Sequence, residues 1–228
     1  MTEKRWLIPL IIFLMSFYLL LLEVLLTRVF SVLLYYHFAF MAISIALLGL
    51  GISGMAIYLF PNLFSKENSQ KHIIYSFTLF SLSVLIILIT IINLRITLHI
   101  TISSVFKLIT LYLVSLLPFL FGGLVVSLIL THYSEKISKL YFFDLVGASL
   151  GTIAVISLLK SLGGTNGLIF ISLIGLLSAV IISFYLGYKK ISLINAFLFG
   201  LVFLMLVIGV IYNPFTLDFT KGAPDVSG

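Results

Sequence analysis

The 228-residue sequence contains few charged residues and no cysteine. Charged side chains make up 9% of the chain, whereas soluble domains carry about 25%. The chain therefore lacks the polar residues that would cover the core of a soluble fold. The absence of cysteine excludes disulfide frameworks, thiolate metal sites and cysteine nucleophiles. A hydrophobic fraction of 62% excludes intrinsic disorder and indicates a polytopic membrane protein.

Apolar stretches of membrane-spanning length fill most of the chain. A helix needs about 20 predominantly apolar residues to cross a bilayer. Charged and turn-forming clusters delimit seven such stretches, namely 7–27, 38–60, 73–92, 108–130, 140–159, 168–186 and 191–212. No small-residue cleavage site follows the first, so we expect an uncleaved helix there rather than a signal peptide. The predicted fold is all-α, a polytopic bundle of about seven transmembrane helices, followed by a polar tail over 213–228.

The distribution of Lys and Arg among the loops predicts the orientation. Cytoplasmic loops are enriched in these residues. The set of loops that includes the N-terminus holds eight of them, and the alternate set holds five. This difference favours a cytoplasmic N-terminus, and seven spans then place the C-terminus outside. Since the net charge of +6 is spread over short loops, no nucleic-acid binding is expected.

Small residues at helical spacing predict where helices pack closely. Ala46, Gly49 and Ser53 share one face of the second span, and Gly147 and Gly151 form a G-x-x-x-G pattern in the fifth. Such faces let helix backbones approach each other in lipid, where hydrophobic attraction between helices is weak. The second span also contains GLGISG, which matches a dinucleotide-binding pattern but lacks the necessary strand before it. Helix packing is therefore the favoured interpretation.

Glu23 is the most prominent candidate for a functional residue. It interrupts the apolar run LLLLEVLLTRVF, and a charge at this depth is costly unless it is paired or used. Arg28 lies about 140° away around an ideal helix, so a direct pair between the two is not favoured. With the predicted orientation, Lys107 and Lys160 lie near the same boundary as Arg28. The carboxylate either forms an ion pair between helices or takes part in proton coupling or substrate binding.

Asp144 is the second acidic candidate and is predicted near the opposite boundary. It lies within a turn or two of Lys136 and Lys139, and a carboxylate in the first helical turn is favoured by the helix dipole. A structural role and a binding role both remain open for it. The four histidines are scattered and join no acidic cluster, so neither a metal site nor a cofactor is expected in this chain.

Several segments resemble bacterial membrane proteins related to spermidine synthase. EVLLTRVFSVLL precedes the glycine-rich ALLGLGISGMAIYLF, and LPFLFGGLVVSLIL precedes LYFFDLVGASLGTIAVISLL. The family shows an E-x-x-x-T-R type motif, a glycine-rich second span, a P-F-x-x-G-G type segment and a Tyr/Asp/Gly-Ala-x-x-G segment in this order. The resemblance covers about 20–164 and includes Glu23, Arg28 and Asp144.

The resemblance implies a membrane part, sometimes compared with half of a major-facilitator transporter, joined to a soluble aminopropyltransferase-like domain of methyltransferase fold. That domain would bind decarboxylated S-adenosylmethionine and a polyamine. Because no βαβ pattern occurs here, the chain is expected to be non-catalytic by itself. Residues 1–212 would be the membrane domain, and 213–228 the start of a soluble domain that this chain lacks. A cytosolic transferase requires the C-terminus inside, which conflicts with the charge count.

Three functions are therefore considered from the sequence. The first is a non-catalytic integral membrane domain of a spermidine synthase-like protein in the bacterial inner membrane. The second is a small secondary transporter or half-transporter for a cationic amine, and the third is a membrane anchor or assembly module. The expected partners are the lipid bilayer and a fused or neighbouring methyltransferase-fold domain, and a homo-oligomer remains open.

Overall fold

The computed structural model describes residues 6–34, 38–93 and 102–212, which form an all-α bundle. Its helices are α1 (Leu7–Leu33), α2 (Ala39–Leu59), α3 (Ser69–Asn93), α4 (Ile102–His132), α5 (Ile137–Tyr185) and α6 (Lys189–Tyr212). All six are long and apolar enough to cross a membrane, and the described ranges contain no strand. The predicted class, an integral multi-pass helical membrane protein, is confirmed. The predicted tail, 213–228, lies outside the described residues.

The predicted fifth and sixth spans lie within one helix, α5, which is interrupted at Gly163. We call residues 137–162 the first segment of α5 and residues 164–185 its second segment. This glycine has φ 73° and ψ −173°, a combination that essentially only glycine adopts. Asp144 and Ser178, on either side of it, contact Ser16 and Tyr18 of α1, which are only two residues apart. In one straight helix, the 34 residues from 144 to 178 would extend about 51 Å. The chain therefore reverses direction at Gly163. Six helices are observed instead of the predicted seven, because the two segments are divided at this glycine and not by a separate loop.

The helix α1 is surrounded by most of the bundle. It contacts α2, α4 and α5, while α3 packs against both α4 and α5. Side chains such as Leu22, Leu25, Phe30, Phe77 and Phe119 are fully buried between these helices. The last helix, α6, packs on α5 and leaves most of its apolar surface exposed. Exposed apolar faces of this kind are the surfaces that a bilayer covers.

Close backbone contact between α2 and α4 depends on one small-residue face. Ala46, Gly49 and Ser53 are all buried on α2. A Cβ atom added to Gly49 would lie 2.6 Å from the Cβ of Phe119 and 3.0 Å from the backbone nitrogen of Leu120. Ordinary carbon contacts are about 3.5–4.0 Å, so no side chain fits at Gly49 without separating the two helices.

Two glycines bring the first segment of α5 against α1. A Cβ atom added to Gly147 would overlap the carbonyl oxygen of Phe13, and one added to Gly151 would overlap that of Phe17. Both obstacles are backbone atoms, which cannot rotate away. Because Phe13 pairs with Gly147 and Phe17 with Gly151, this segment runs parallel to α1 with its glycine face against the α1 backbone.

Basic residues of the predicted cytoplasmic set meet at the end of the bundle where α1 begins. The Nε2 atom of His132, at the end of α4, lies 2.7 Å from the carbonyl oxygen of Phe64 in the α2–α3 connection. Lys66 of that connection stands over the ring of Tyr133, 5.7 Å from its centroid. The described basic residues of the set are Lys66, Lys71, Lys136, Lys139, Lys189 and Lys190. Their common location follows from alternate helices running in opposite directions.

Candidate functional site

Asp144 lies two turns inside α5 and contacts α1 through Ser16. The Ser16 hydroxyl donates a hydrogen bond to its carboxylate, and the Ser16 side chain is only 3% exposed. The first turn of α5 contains no acidic residue, so the expected stabilisation of Asp144 by the helix dipole is small at its actual position. Lys139 does not pair with Asp144, because its ammonium lies 4.0 Å from the centroid of the Trp6 ring.

Glu23 is half-buried on α1. Its backbone carbonyl accepts a hydrogen bond from the Thr27 hydroxyl at 2.8 Å. Among residues 6–34, 38–93 and 102–212, no cationic side chain forms an ion pair with the Glu23 carboxylate. The interhelical ion pair that the sequence offered as one interpretation is thus not formed within the described part of the chain.

Arg28 is separated from Glu23 by the turn of the helix. It is exposed and lies five residues before the end of α1 at Leu33, whereas Glu23 is half-buried. The angle of about 140° that helical geometry predicts between them accounts for this difference. Arg28 is therefore not a partner of the Glu23 carboxylate on the same helix.

The two acidic candidates lie on the same side of α1, although Asp144 belongs to α5. Ser16 and Glu23 are seven residues apart. On an ideal helix their directions differ by about 20°, and their Cα atoms are separated by about 10 Å along the axis. Since Asp144 is bound to Ser16, its carboxylate lies on the same side of α1 as Glu23, two turns away. We call Ser16, Glu23 and Asp144 the acidic stripe.

The chemistry available to the acidic stripe is the binding of cations. Two carboxylates and a hydroxyl offer only oxygen acceptors to a protonated amine or a proton. Within the described residues, no cluster of three potential metal ligands occurs. His72 and His132 each contact a backbone carbonyl of the α2–α3 connection, while the other two histidines lie outside the described residues. The oxygen acceptors of the acidic stripe therefore suit recognition of a cation.

Tyr18 is a polar core residue that the sequence reasoning did not select. Its hydroxyl lies 2.6 Å from that of Ser178 and donates to the carbonyl oxygen of Ile174 at 3.3 Å. Its ring packs against Phe77 and Phe80 of α3. A tyrosine in the middle of a predicted span, away from the interfaces where this residue is common, was the available signal. The residue joins α1 to α3 and to the second segment of α5.

A second polar contact joins α3 to the last helix. The Thr78 hydroxyl donates to the side-chain oxygen of Asn195 at 2.9 Å, and Asn195 is 1% exposed. An asparagine in an apolar span is a typical interhelical hydrogen-bonding residue. This contact and the Tyr18 contacts stabilise the bundle.

Comparison with known proteins does not identify a family for this chain. No family model, curated protein sequence or solved structure matches the chain. The resemblance to membrane proteins related to spermidine synthase remains a prediction from the ordered motifs. Conclusions about function therefore depend on the residues of the bundle itself.

Proposed function

We propose that this chain is an integral membrane domain of the bacterial inner membrane that binds an organic cation at the acidic stripe. It crosses the bilayer seven times, with the two segments of α5 counted separately. It is non-catalytic by itself and serves as the membrane part of a spermidine synthase-like protein. The aminopropyltransferase-like domain is its fused or neighbouring partner.

The observation that carries this proposal is a pair of half-buried carboxylates on the same side of α1, Glu23 on α1 itself and Asp144 on α5. Charged groups at membrane depth are costly and are generally paired or functional. Within the described part of the chain, neither Glu23 nor Asp144 has a cationic partner. Separate ammonium groups of a bound polyamine would supply the missing positive charge at each carboxylate, and their contacts would be charge-assisted hydrogen bonds, which are stronger than neutral ones.

The residues of the family-like motifs support the proposal because they build this face together. Gly147 and Gly151 permit the first segment of α5 to approach α1, and this approach brings Asp144 to Ser16. Glu23 opens the E-x-x-x-T-R type segment on the same helix. The glycines and the two acidic residues are thus parts of one arrangement, in which helix packing places the carboxylates.

A small secondary transporter for a cationic amine is the second candidate. The observation that favours it is the depth of Glu23, which lies sixteen residues into a 27-residue helix. Substrate sites of secondary transporters lie near the middle of the bilayer. An anchor or assembly module, the third interpretation, would require only the tight glycine contacts and no cation at the acidic stripe.

Binding of labelled spermidine to the full chain in lipid nanodiscs tests the proposal. We expect Glu23→Gln and Asp144→Asn each to weaken binding by about tenfold or more, since each removes a charged hydrogen-bonding partner. The matched controls are Glu67→Gln and Glu135→Gln, which remove equal charge from exposed residues outside the stripe. Equal binding by all four variants would contradict a site at the acidic stripe, as would no binding by the wild type.

Uptake of labelled spermidine into proteoliposomes separates the two leading functions. Uptake that Glu23→Gln abolishes would favour the transporter. Binding without uptake would favour a membrane domain that holds the amine for its partner. Reading the gene beyond Gly228 tests the fusion separately, because the proposal requires a methyltransferase-fold reading frame that is fused or adjacent.

A further inference from the structure

A cavity of about 180 Å³ lies at the end of the bundle where α1 and α3 begin and α4 and α5 end. Its wall is largely aliphatic and includes Leu7, Ile8 and Ile11 of α1, Ile73 of α3 and Leu186 after α5. Ile11 and Ile73 are nearly fully buried at 1% and 2% exposure. The cavity therefore extends from the bundle end into the apolar core.

The size and lining of this cavity suit a hydrocarbon. An apolar cavity of about 150 Å³ stays free of water and binds benzene. A cavity of 180 Å³ consequently accepts a segment of one acyl chain but not a whole lipid. The polar groups in its wall come from Gln70 and Tyr133, which can hydrogen-bond the ester region of an amphiphile at the mouth.

The charge around the cavity is positive. The Lys66 ammonium lies over the Tyr133 ring that forms part of the wall. The bundle end carries six described lysines, whereas its described acidic residues are Glu67 and Glu135. Basic pockets between helices on the cytoplasmic side of a membrane bind anionic lipid headgroups. An apolar cavity beside a lysine thus matches both parts of an anionic phospholipid.

We propose that this cavity binds one acyl chain of an anionic phospholipid whose phosphate contacts Lys66. The site is separate from the acidic stripe, because Ile11 and Ser16 are about 140° apart around α1. It therefore extends beyond the proposed function and does not depend on amine binding. A lipid held here would contact four segments of the bundle end: the starts of α1 and α3, Tyr133 after α4 and Leu186 after α5.

Trp6, the single tryptophan of the chain, precedes Leu7 in the cavity wall and provides the assay. The full chain is placed in nanodiscs with a minor fraction of phospholipid brominated on its acyl chains, which quenches nearby tryptophan fluorescence. Brominated phosphatidylglycerol is compared with brominated phosphatidylcholine. We expect preferential quenching by phosphatidylglycerol, competed by unlabelled phosphatidylglycerol.

Two variants and their matched controls test the two parts of the site. Lys66→Gln should lower the preference for phosphatidylglycerol by about fivefold, as for the loss of one basic residue at a membrane surface. Ile8→Phe fills the cavity and should weaken binding by about tenfold, the equivalent of nearly two buried methylenes. The controls, Lys190→Gln and Leu10→Phe, change exposed residues outside the cavity and should bind as the wild type does.

Equal quenching by the two lipids in the wild type would overturn the proposal. So would a preference that Ile8→Phe and Leu10→Phe reduce equally, since the cavity would then play no part. A preference that appears only after deletion of residues 2–5 would also overturn it, because those residues and not lipid would then occupy the cavity in the native chain.

Discussion

Replacing Gly49 by Ala tests the close contact between α2 and α4. The added Cβ would lie 2.6 Å from the Cβ of Phe119, about 1 Å inside an ordinary carbon contact. The nearby nitrogen of Leu120 belongs to the α4 backbone, so relief requires movement of a helix rather than of one side chain. Overpacking of this kind costs about 1–3 kcal/mol.

Gly51, two residues further along α2, provides the matched control. A Cβ there would meet nothing within 4 Å. Glycine-to-alanine substitution inside a helix is worth about 1 kcal/mol in helix propensity, and this gain is common to both positions. We therefore expect Gly51→Ala to stabilise the chain by up to about 1 kcal/mol. Gly49→Ala should be less stable than Gly51→Ala by about 1–3 kcal/mol.

The measurement is reversible unfolding of each variant in mixed micelles with increasing dodecyl sulfate, followed by circular dichroism. Comparing the two variants directly cancels the propensity gain and leaves the cost of the contact with Phe119. If Gly49→Ala is as stable as Gly51→Ala, α2 and α4 do not approach as closely as described. The packing argument for this small-residue face would then be wrong.

Three further outcomes follow from other parts of the bundle. Gly163→Ala should destabilise the chain by about 1–3 kcal/mol, because the dihedral angles of Gly163 are accessible essentially only to glycine. The control Gly200→Ala adds a Cβ that meets nothing within 4 Å and should not destabilise the chain. Equal unfolding midpoints for the two variants would contradict the reversal in α5. Tyr18→Phe should cost about 0.6–1.7 kcal/mol in the same unfolding measurement, the range for interhelical hydrogen bonds in a membrane protein, and no change would show that its hydroxyl contacts are not stabilising. Because the chain has no cysteine, the labelling of a single introduced cysteine reports on one position only. Cysteines replacing Lys66 and Ser161 should react with impermeant maleimide from opposite sides of the membrane. Labelling of both from the same side would refute the helix order.

The predicted ends of the spans were least accurate where charged residues occur. The first span was expected to end at Thr27, but α1 continues through Arg28 to Leu33. Similarly, α4 begins at Ile102 instead of 108 and includes Lys107. A long basic side chain can reach water while its backbone remains helical, so a charged residue does not by itself mark the end of a helix.

The acidic stripe shows how far sequence reasoning reached towards the candidate site. Glu23 and Asp144 were predicted as candidates because a carboxylate within an apolar run is unusual and visible in the sequence itself. Their shared face was not predicted, since the link between them is a hydrogen bond from Ser16, 128 residues before Asp144. A serine in an apolar helix is common and signals nothing without its partner. Tyr18 was overlooked although its position in the middle of a span was a signal, because its hydroxyl partners, Ile174 and Ser178, are distant in sequence.

The sequence alone determined the membrane class, because hydrophobicity and the thickness of a bilayer act on each segment separately. It also identified the glycines and carboxylates that are unusual within such segments. Only the tertiary structure decided that α5 reverses at Gly163, that its glycine face meets the backbone of α1, and that Asp144 thereby lies on the same side of α1 as Glu23. These relations depend on which helix faces meet, and in lipid that choice is made by close packing and polar contacts between residues distant in sequence.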